Sequence, residues 1–498
     1  MNVNPITRLD YPDPDVIRVE DTYYMVSTTM HFMPGCEILQ SFDLVHWEHV
    51  TYVYETLDHT DAQQLKSGQN IYGQGMWAAS LRYHEGRFCI CFVANDTRKT
   101  YLYTSEKIDG PWKKQLIEGF YHDGSLLFDE DGRNYIVYGN DEIWITELNE
   151  DLTAPKKDGL HRLLVSDHKN PELGYEGSHI QKINGYYYIF LIHSLRDRWM
   201  RTEACFYSDS LEGEFTGGDV LCDDRGYCGQ GVAQGGIVDT PDGKWYAMLF
   251  QDSGAVGRIP ILLPVTWKDH FPVFGQNGHV PEEIEVHSTR PGYIYQPLVG
   301  SDDFCNGLLP RWQFNHDPDP RYYHLDALQG TYTITTREVC TELTQAVNTL
   351  TQRMSYPSCA AEVTVDASAL KEGDVAGLCA LQSCYAAVGI TKHHGKYEVL
   401  MLDKKEDGIL DMTEGTVVES HQMDFRLEAD FCNMKDEARC YYRVNKGDWL
   451  PIGTVHKLYF KLDHFTGCRF GLFCYAAEET GASACFRDFK YYDVDEIS

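Results

Sequence analysis

Five times in its first half this chain repeats one short pattern, an acidic or glycine-bearing turn followed at once by a strand rich in tyrosine, phenylalanine and aliphatic residues. It reads Glu20-Asp21-Thr22-Tyr23-Tyr24-Met25-Val26, then Glu85-Gly86-Arg87-Phe88-Cys89-Ile90, then Asp131-Gly132-Arg133-Asn134-Tyr135-Ile136. It returns as Asn184-Gly185-Tyr186-Tyr187-Tyr188-Ile189 and as Asp242-Gly243-Lys244-Trp245-Tyr246-Ala247. Asp-Gly and Asn-Gly between strand-like runs signal tight hairpins, because such turns need residues that accept positive φ. The repeats recur at intervals of roughly 45–65 residues, near the length of a propeller blade. A second element follows some of them, as in Ser41-Phe42-Asp43-Leu44-Val45-His46-Trp47 and Ser105 to Trp112, and reads as the outer part of a blade. Helical periodicity is scarce throughout, so the pattern predicts an all-β chain that opens with a five-bladed β-propeller. A β-sandwich would share such strands but not this period.

At 498 residues the chain exceeds one compact core, and two domains are expected. The repeat ends near Pro272-Val273-Phe274, and a looser stretch from Gly278 to Gly300 carries Pro281, Pro291 and Pro297. Beyond Asp302 the texture changes to short alternating strands such as Ala361-Glu362-Val363-Thr364-Val365. The expected division is a propeller over residues 1–298 and a β-sandwich over 303–498.

Charge narrows the function. A net charge of -32 argues against nucleic acid or an anionic membrane as partner, since phosphate binding is driven by Lys and Arg, and it is compatible with a neutral substrate. No 18-residue apolar stretch suggests a transmembrane helix. The opening MNVNPITRLDYPDPDV lacks a charged-then-apolar leader, and the 16 cysteines form no CxxC pairing. Together these predict a cytoplasmic protein with reduced, buried thiols.

In a propeller the innermost strand of each blade points one end at a shared axial cavity, so carboxylates far apart in sequence can converge. Three segments place an acid just before or at a blade's first strand: Tyr11-Pro12-Asp13-Pro14-Asp15, Tyr121-His122-Asp123-Gly124-Ser125 and Tyr175-Glu176-Gly177-Ser178-His179. Prolines on both sides restrict the backbone at Asp13. Taken singly, each segment also reads as an ordinary turn or surface acid. As a set they offer the paired carboxyl groups that glycoside hydrolysis requires.

In this order and on this repeat the segments resemble glycoside hydrolase family 43, in its two-domain β-xylosidase and α-L-arabinofuranosidase form. The resemblance is carried by Asn4-Pro5-Ile6 with Tyr11 to Asp15, by Met76-Trp77-Ala78-Ala79, by Glu176 to His179, and by Thr240 to Tyr246 with Gly257-Arg258-Ile259-Pro260. It continues through Asp302-Asp303-Phe304, Trp312 to His316 and Leu350-Thr351-Gln352-Arg353. The resemblance implies an inverting mechanism, with Asp13 as general base, Glu176 as general acid, and Asp123 positioning that acid and raising its pKa by like-charge repulsion. Base and acid would then stand roughly 6.5–9.5 Å apart. It also implies Phe32 and Trp77 as sugar-facing aromatics and Arg258 as a contact to the terminal sugar and the acid. Many relatives carry a last-blade histidine near an axial metal or water cluster. Here Gln234 stands at that place, an amide that can ligate a hard cation such as calcium but cannot titrate.

The expectation is an exo-acting hydrolase releasing terminal α-L-arabinofuranose from arabinose-decorated xylo-oligosaccharides, with β-xylosidase as competing or second activity. Two rivals are a non-catalytic carbohydrate-binding propeller and a retaining fructosidase, whose Trp-Met-Asn-Asp-Pro type of opening is absent. The sandwich is expected to cover the propeller and lend a loop to its pocket.

Overall fold

Each of the five repeated turns closes a hairpin. In the computed structural model, which describes residues 2–493, Val19 pairs with Thr22, His84 with Arg87 and Ile183 with Tyr186 across two-residue turns. Asn184 and Gly185 take φ of 51° and 85°, the left-handed pair that matches strand twist. The two remaining turns are longer, spanning Phe128 to Asn134 and Asp239 to Trp245.

Every hairpin joins the first and second strands of a four-stranded antiparallel blade. The first blade comprises Asp15–Val19, Thr22–Val26, Gly35–Ser41 and Glu48–Tyr54, and the second Met76–His84, Arg87–Ala94, Lys99–Ser105 and Lys113–Ile117. The innermost strands of the other three are Ser125–Phe128, Glu176–Ile183 and Val232–Asp239. Blades bury both faces against their neighbours. Val26 and Ile38 pack with Ile90 and Phe92, Cys89 and Cys91 with Leu126 and Ile136, Tyr135 and Val137 with Ile189, and Tyr188 and Phe190 with Ala247 and Leu249. Val16 and Met25 meet Val238 and Met248, which completes the ring of five. Burial on two sides explains why second strands such as Arg87–Ala94 are continuous apolar runs rather than alternating ones. The ends are tied together where Asn2–Val3 pairs with Glu283–Ile284, and the Asn4 amide donates to Leu262 O at 2.7 Å.

Residues after 300 form two antiparallel sheets around one apolar core. One sheet takes its outermost strand from the propeller: Phe32–Met33 pairs with Gln313–Asn315, Asn315 opposite Phe32. The contact between domains is therefore built from shared hydrogen bonds and buried charge. Arg353 meets Glu37 at 2.8 Å and donates to Asp10 O at 2.9 Å, while Asp10 accepts from the backbone of both Arg258 and Gly467 at 2.7 Å.

Three histidines share this contact. His31 lies 4.8 Å from His316 and 5.3 Å from His464, ring centre to ring centre, all three buried. Burial holds His316 down at about 3 and His464 at about 4, and drives His31 well below the usual range. Each is thus neutral in the fold yet protonates in the unfolded chain below about pH 6.5. A depressed folded pKa gives stability that is complete above that value and is lost as pH falls toward the folded value. At pH 5 the loss is about 2 kcal/mol per histidine. Urea unfolding at pH 7.5 and pH 5 should show a stability difference smaller by about that amount in His316→Gln than in the parent chain; equal differences would contradict it.

Candidate active site

The site is made by one backbone irregularity repeated at the start of every innermost strand. Asp13, Ala78, Asp123, Gly177 and Gln234 all have positive φ, of 52°, 33°, 47°, 65° and 59°. In the second, fourth and fifth blades the pairing register shifts at this point, a bulge that redirects side chains toward the axis. Asp and Gly tolerate the left-handed region, whereas Ala78 and Gln234 occupy it at a cost that the surrounding pairing must offset. These five residues line a single cavity on the axis. At Gly177 a side chain is excluded twice over, by φ and because a Cβ would stand 2.7 Å from Gln234 Cδ.

The axis below is closed by polar groups. Asp15 accepts from Arg82 and from Leu81 N, each at 2.7 Å, and its other oxygen lies 3.1 Å from His179 Nδ1. Arg82 also donates to Ser125 Oγ at 2.7 Å and Leu126 O at 2.9 Å, stitching three blades at their centre.

Asp13 is 3% exposed and held from two directions. Thr28 Oγ1 donates to one oxygen at 2.5 Å, and Arg258 donates to the other at 2.6 Å. Thr28 is aimed in turn by the Ala78 N–H at 2.8 Å. Arg258 also faces Asp252 at 3.3 Å, and Asp252 faces Arg201 at 3.2 Å. Arg201 is 3% exposed, and its Nη1 has no hydrogen-bond partner.

Across the cavity, Asp123 Oδ2 accepts the Gly177 N–H at 3.1 Å, fixing the backbone beside Glu176. Glu176 Oε2 receives the Asn140 amide at 2.8 Å. Between the two carboxyl groups stands His122, its Nε2 3.5 Å from Glu176 Oε2 and 3.6 Å from Asp123 Oδ2. Burial raises Asp123 to about 6, with repulsion from Glu176 and Asp13 partly opposed by His122. Burial also pushes Glu176 up, but His122, Arg201 and Arg258 outweigh it, so this carboxyl lies below its usual value. The expected like-charge effect thus falls on Asp123 and not on Glu176, because imidazole and guanidinium groups surround the latter.

The walls correct one sequence expectation. Trp77 is half-buried, 6.3 Å from His122 and 5.1 Å from Phe465, ring centre to ring centre. Phe32 is no sugar-facing wall: it is 2% exposed, covered by the Arg469 guanidinium at 3.4 Å, and lies in the strand shared with the sandwich. The aromatic that stands over Arg258 is Phe465, 3.7 Å from its guanidinium, on a loop of the sandwich. Sequence reasoning missed Phe465, which no local motif marks. It also passed over His122, although that residue adjoins Asp123 in a segment already singled out, and Arg201 and Thr28, which lie outside every such segment.

Gln234, expected as a calcium ligand, borders the axial cavity. Its N–H donates to the buried Glu203 at 2.7 Å and its side chain packs on Gly177. The axial cavity has a volume of about 10 Å³, room for one water-sized occupant. Its bordering carboxylates are already engaged, Asp13 by Arg258 and Thr28 and Asp123 by Gly177 N. Calcium takes six to eight oxygens, waters among them, so these residues alone do not complete its shell.

Comparison with known proteins places this geometry. Residues 3–272 match the model of glycosyl hydrolases family 43, and residues 301–492 match the β-xylosidase C-terminal concanavalin A-like domain. The chain is 26% identical over 555 residues to a β-xylosidase of Formosa agariphila, covering 99% of this chain and 89% of that one. It is 26% identical over 545 residues to xylosidase/arabinosidase 43B of Humicola insolens, covering 99% and 98%. A solved structure described as a bifunctional GH43-CE of Bacteroides eggerthii superposes with a TM-score of 0.91 at 42% identity; this chain is covered over 99% of its length and spans 63% of that one.

Proposed function

This chain belongs to glycosyl hydrolase family 43 and is a glycoside hydrolase, and from that premise we propose that it is an inverting, exo-acting enzyme that removes terminal α-L-arabinofuranose from arabinose-decorated xylo-oligosaccharides. The observation that carries the mechanism is the asymmetric holding of the carboxyl groups. Asp13 is locked by Thr28 and Arg258, as suits a base that takes a proton from an attacking water. Glu176 is partly exposed, as suits an acid that must reach a departing oxygen. Water attacks the anomeric carbon from the Asp13 side while the bond to the leaving oxygen breaks on the Glu176 side. One displacement inverts the anomer. Arg201, with an unpartnered nitrogen, supplies a hydrogen-bond donor for a sugar hydroxyl. Phe465 stands against Arg258 and Trp77 from the sandwich side, a wall that favours release of end units over internal cutting.

β-D-xylosidase activity is the second reading, favoured by the Formosa relative's name, while the Humicola name covers both sugars. Parallel kcat/KM measurements on arabinose-decorated and linear xylo-oligosaccharides, with proton NMR of the first-formed anomer, test both points. Higher kcat/KM on the decorated substrate with an inverted product is expected. A retained anomer overturns the mechanism, and preference for the linear substrate overturns the sugar assignment.

A further inference from the structure

We propose that His122 is the proton store of the general acid: its imidazolium, wedged between Asp123 and Glu176, hands a proton to Glu176 as the leaving oxygen arrives. The inference rests on the acid role given to Glu176 above. The chemistry poses a problem that the geometry answers. A general acid must carry its proton when substrate binds, and here a protonated His122 beside Glu176 favours the ionised carboxylate, with Arg201 and Arg258 adding to it. A carboxylate in that setting is a poor acid unless a neighbour lends the proton on demand.

His122 is placed to do so. Nε2 lies 3.5 Å from Glu176 Oε2 and 3.6 Å from Asp123 Oδ2, and that nitrogen is buried with no partner in hydrogen-bond geometry. The charged groups around it are Asp123, Glu176 and Asp13 on three blades, with Arg201 and Arg258 acting on Glu176 from the far side. Trp77 meets the ring edge-on and Asn140 holds Glu176; both are uncharged. Although burial opposes it, the carboxylates raise His122 to about 9, whereas Asp123 stands at about 6. Of the three, His122 is the member that holds a proton most readily, since both carboxyl groups favour its charged form.

The proton balance closes. As the bond between the anomeric carbon and the leaving oxygen breaks, the one proton passes from His122 Nε2 to Glu176 and on to the leaving oxygen, so His122 ends neutral and Glu176 ends ionised, as it began. Asp13 takes one proton from the attacking water. After product leaves, Asp13 loses that proton to solvent and His122 regains one from it. The alkaline limb of activity is then set by the trio rather than by Glu176 alone, which carries activity to higher pH than an isolated carboxyl pair allows.

The test is the pH profile of kcat/KM for the full chain on a natural oligosaccharide, comparing the parent with His122→Gln and His122→Phe. Gln keeps a polar group at the site but stores no proton. His122→Gln should lower kcat/KM with a loss that grows from pH 5 to pH 8 as its alkaline midpoint falls by at least one pH unit, and His122→Phe should show the same shift. An unchanged alkaline midpoint, or a loss equal at every pH, overturns the proposal. If the variants do not fold, histidine NMR titration of the parent and of Glu176→Gln decides. The resonance displaced by loss of Glu176 must remain protonated at pH 7 in the parent, and a neutral ring there overturns the proposal. Failure of Glu176→Gln to impair natural substrates would instead remove the acid assignment itself.

Discussion

Asp13→Asn is expected to lower kcat/KM by on the order of 10²–10⁴ on every substrate, whatever its leaving group. The amide preserves shape and can still accept from Arg258, but it cannot take a proton from water, and it leaves the buried guanidinium without one of its two counter-charges, Asp252 at 3.3 Å remaining. Glu176→Gln should behave differently. Its loss should be of that order on natural oligosaccharides and small on p-nitrophenyl glycosides, whose leaving group needs no protonation. This contrast separates base from acid without a bound ligand. An Asp13→Asn enzyme within tenfold of the parent on both substrate types would take Asp13 out of the chemistry.

The second large effect concerns stability. Arg353→Ala should cost about 3–5 kcal/mol, because it leaves Glu37 charged and buried without its main counter-ion. Arg353 and Glu37 are 4% and 3% exposed at the side chain, and the same guanidinium also holds Asp10 O. Asp10 in turn joins the backbone of Arg258 to that of Gly467, so the pair supports the face where Phe465 enters the site. Urea unfolding at pH 7.5 should show the loss, and activity near the midpoint should fail together with the domain contact. A change below 1 kcal/mol would mean that His49, 2.9 Å from Glu37, neutralises the carboxylate unaided.

Much of the propeller was legible because its determinants are local. A hairpin turn is a matter of two to five adjacent residues and their φ preferences, and all five predicted turns join the first two strands of a blade. The acidic segments were legible for the same reason: Asp13 and Asp123 tolerate positive φ, and Gly177 requires it beside Glu176. Phe32 misled because an aromatic in the first blade reads alike whether it faces sugar or a second domain. Its burial depends on Arg469, more than 400 residues further along the chain.

By itself, then, the sequence determined the repeat and the all-β class, which rest on short-range backbone chemistry, and it marked the three carboxyl positions through the order of their segments and the family resemblance. Tertiary structure alone decided how those carboxyl groups are charged and walled. The 3.5 Å approach of His122 to Glu176 joins the third blade to the fourth, and Phe465 reaches Arg258 from the other domain. The physical reason is distance: a proton affinity and a pocket wall depend on neighbours within a few ångströms in space, and such neighbours leave no mark at the corresponding place in the chain.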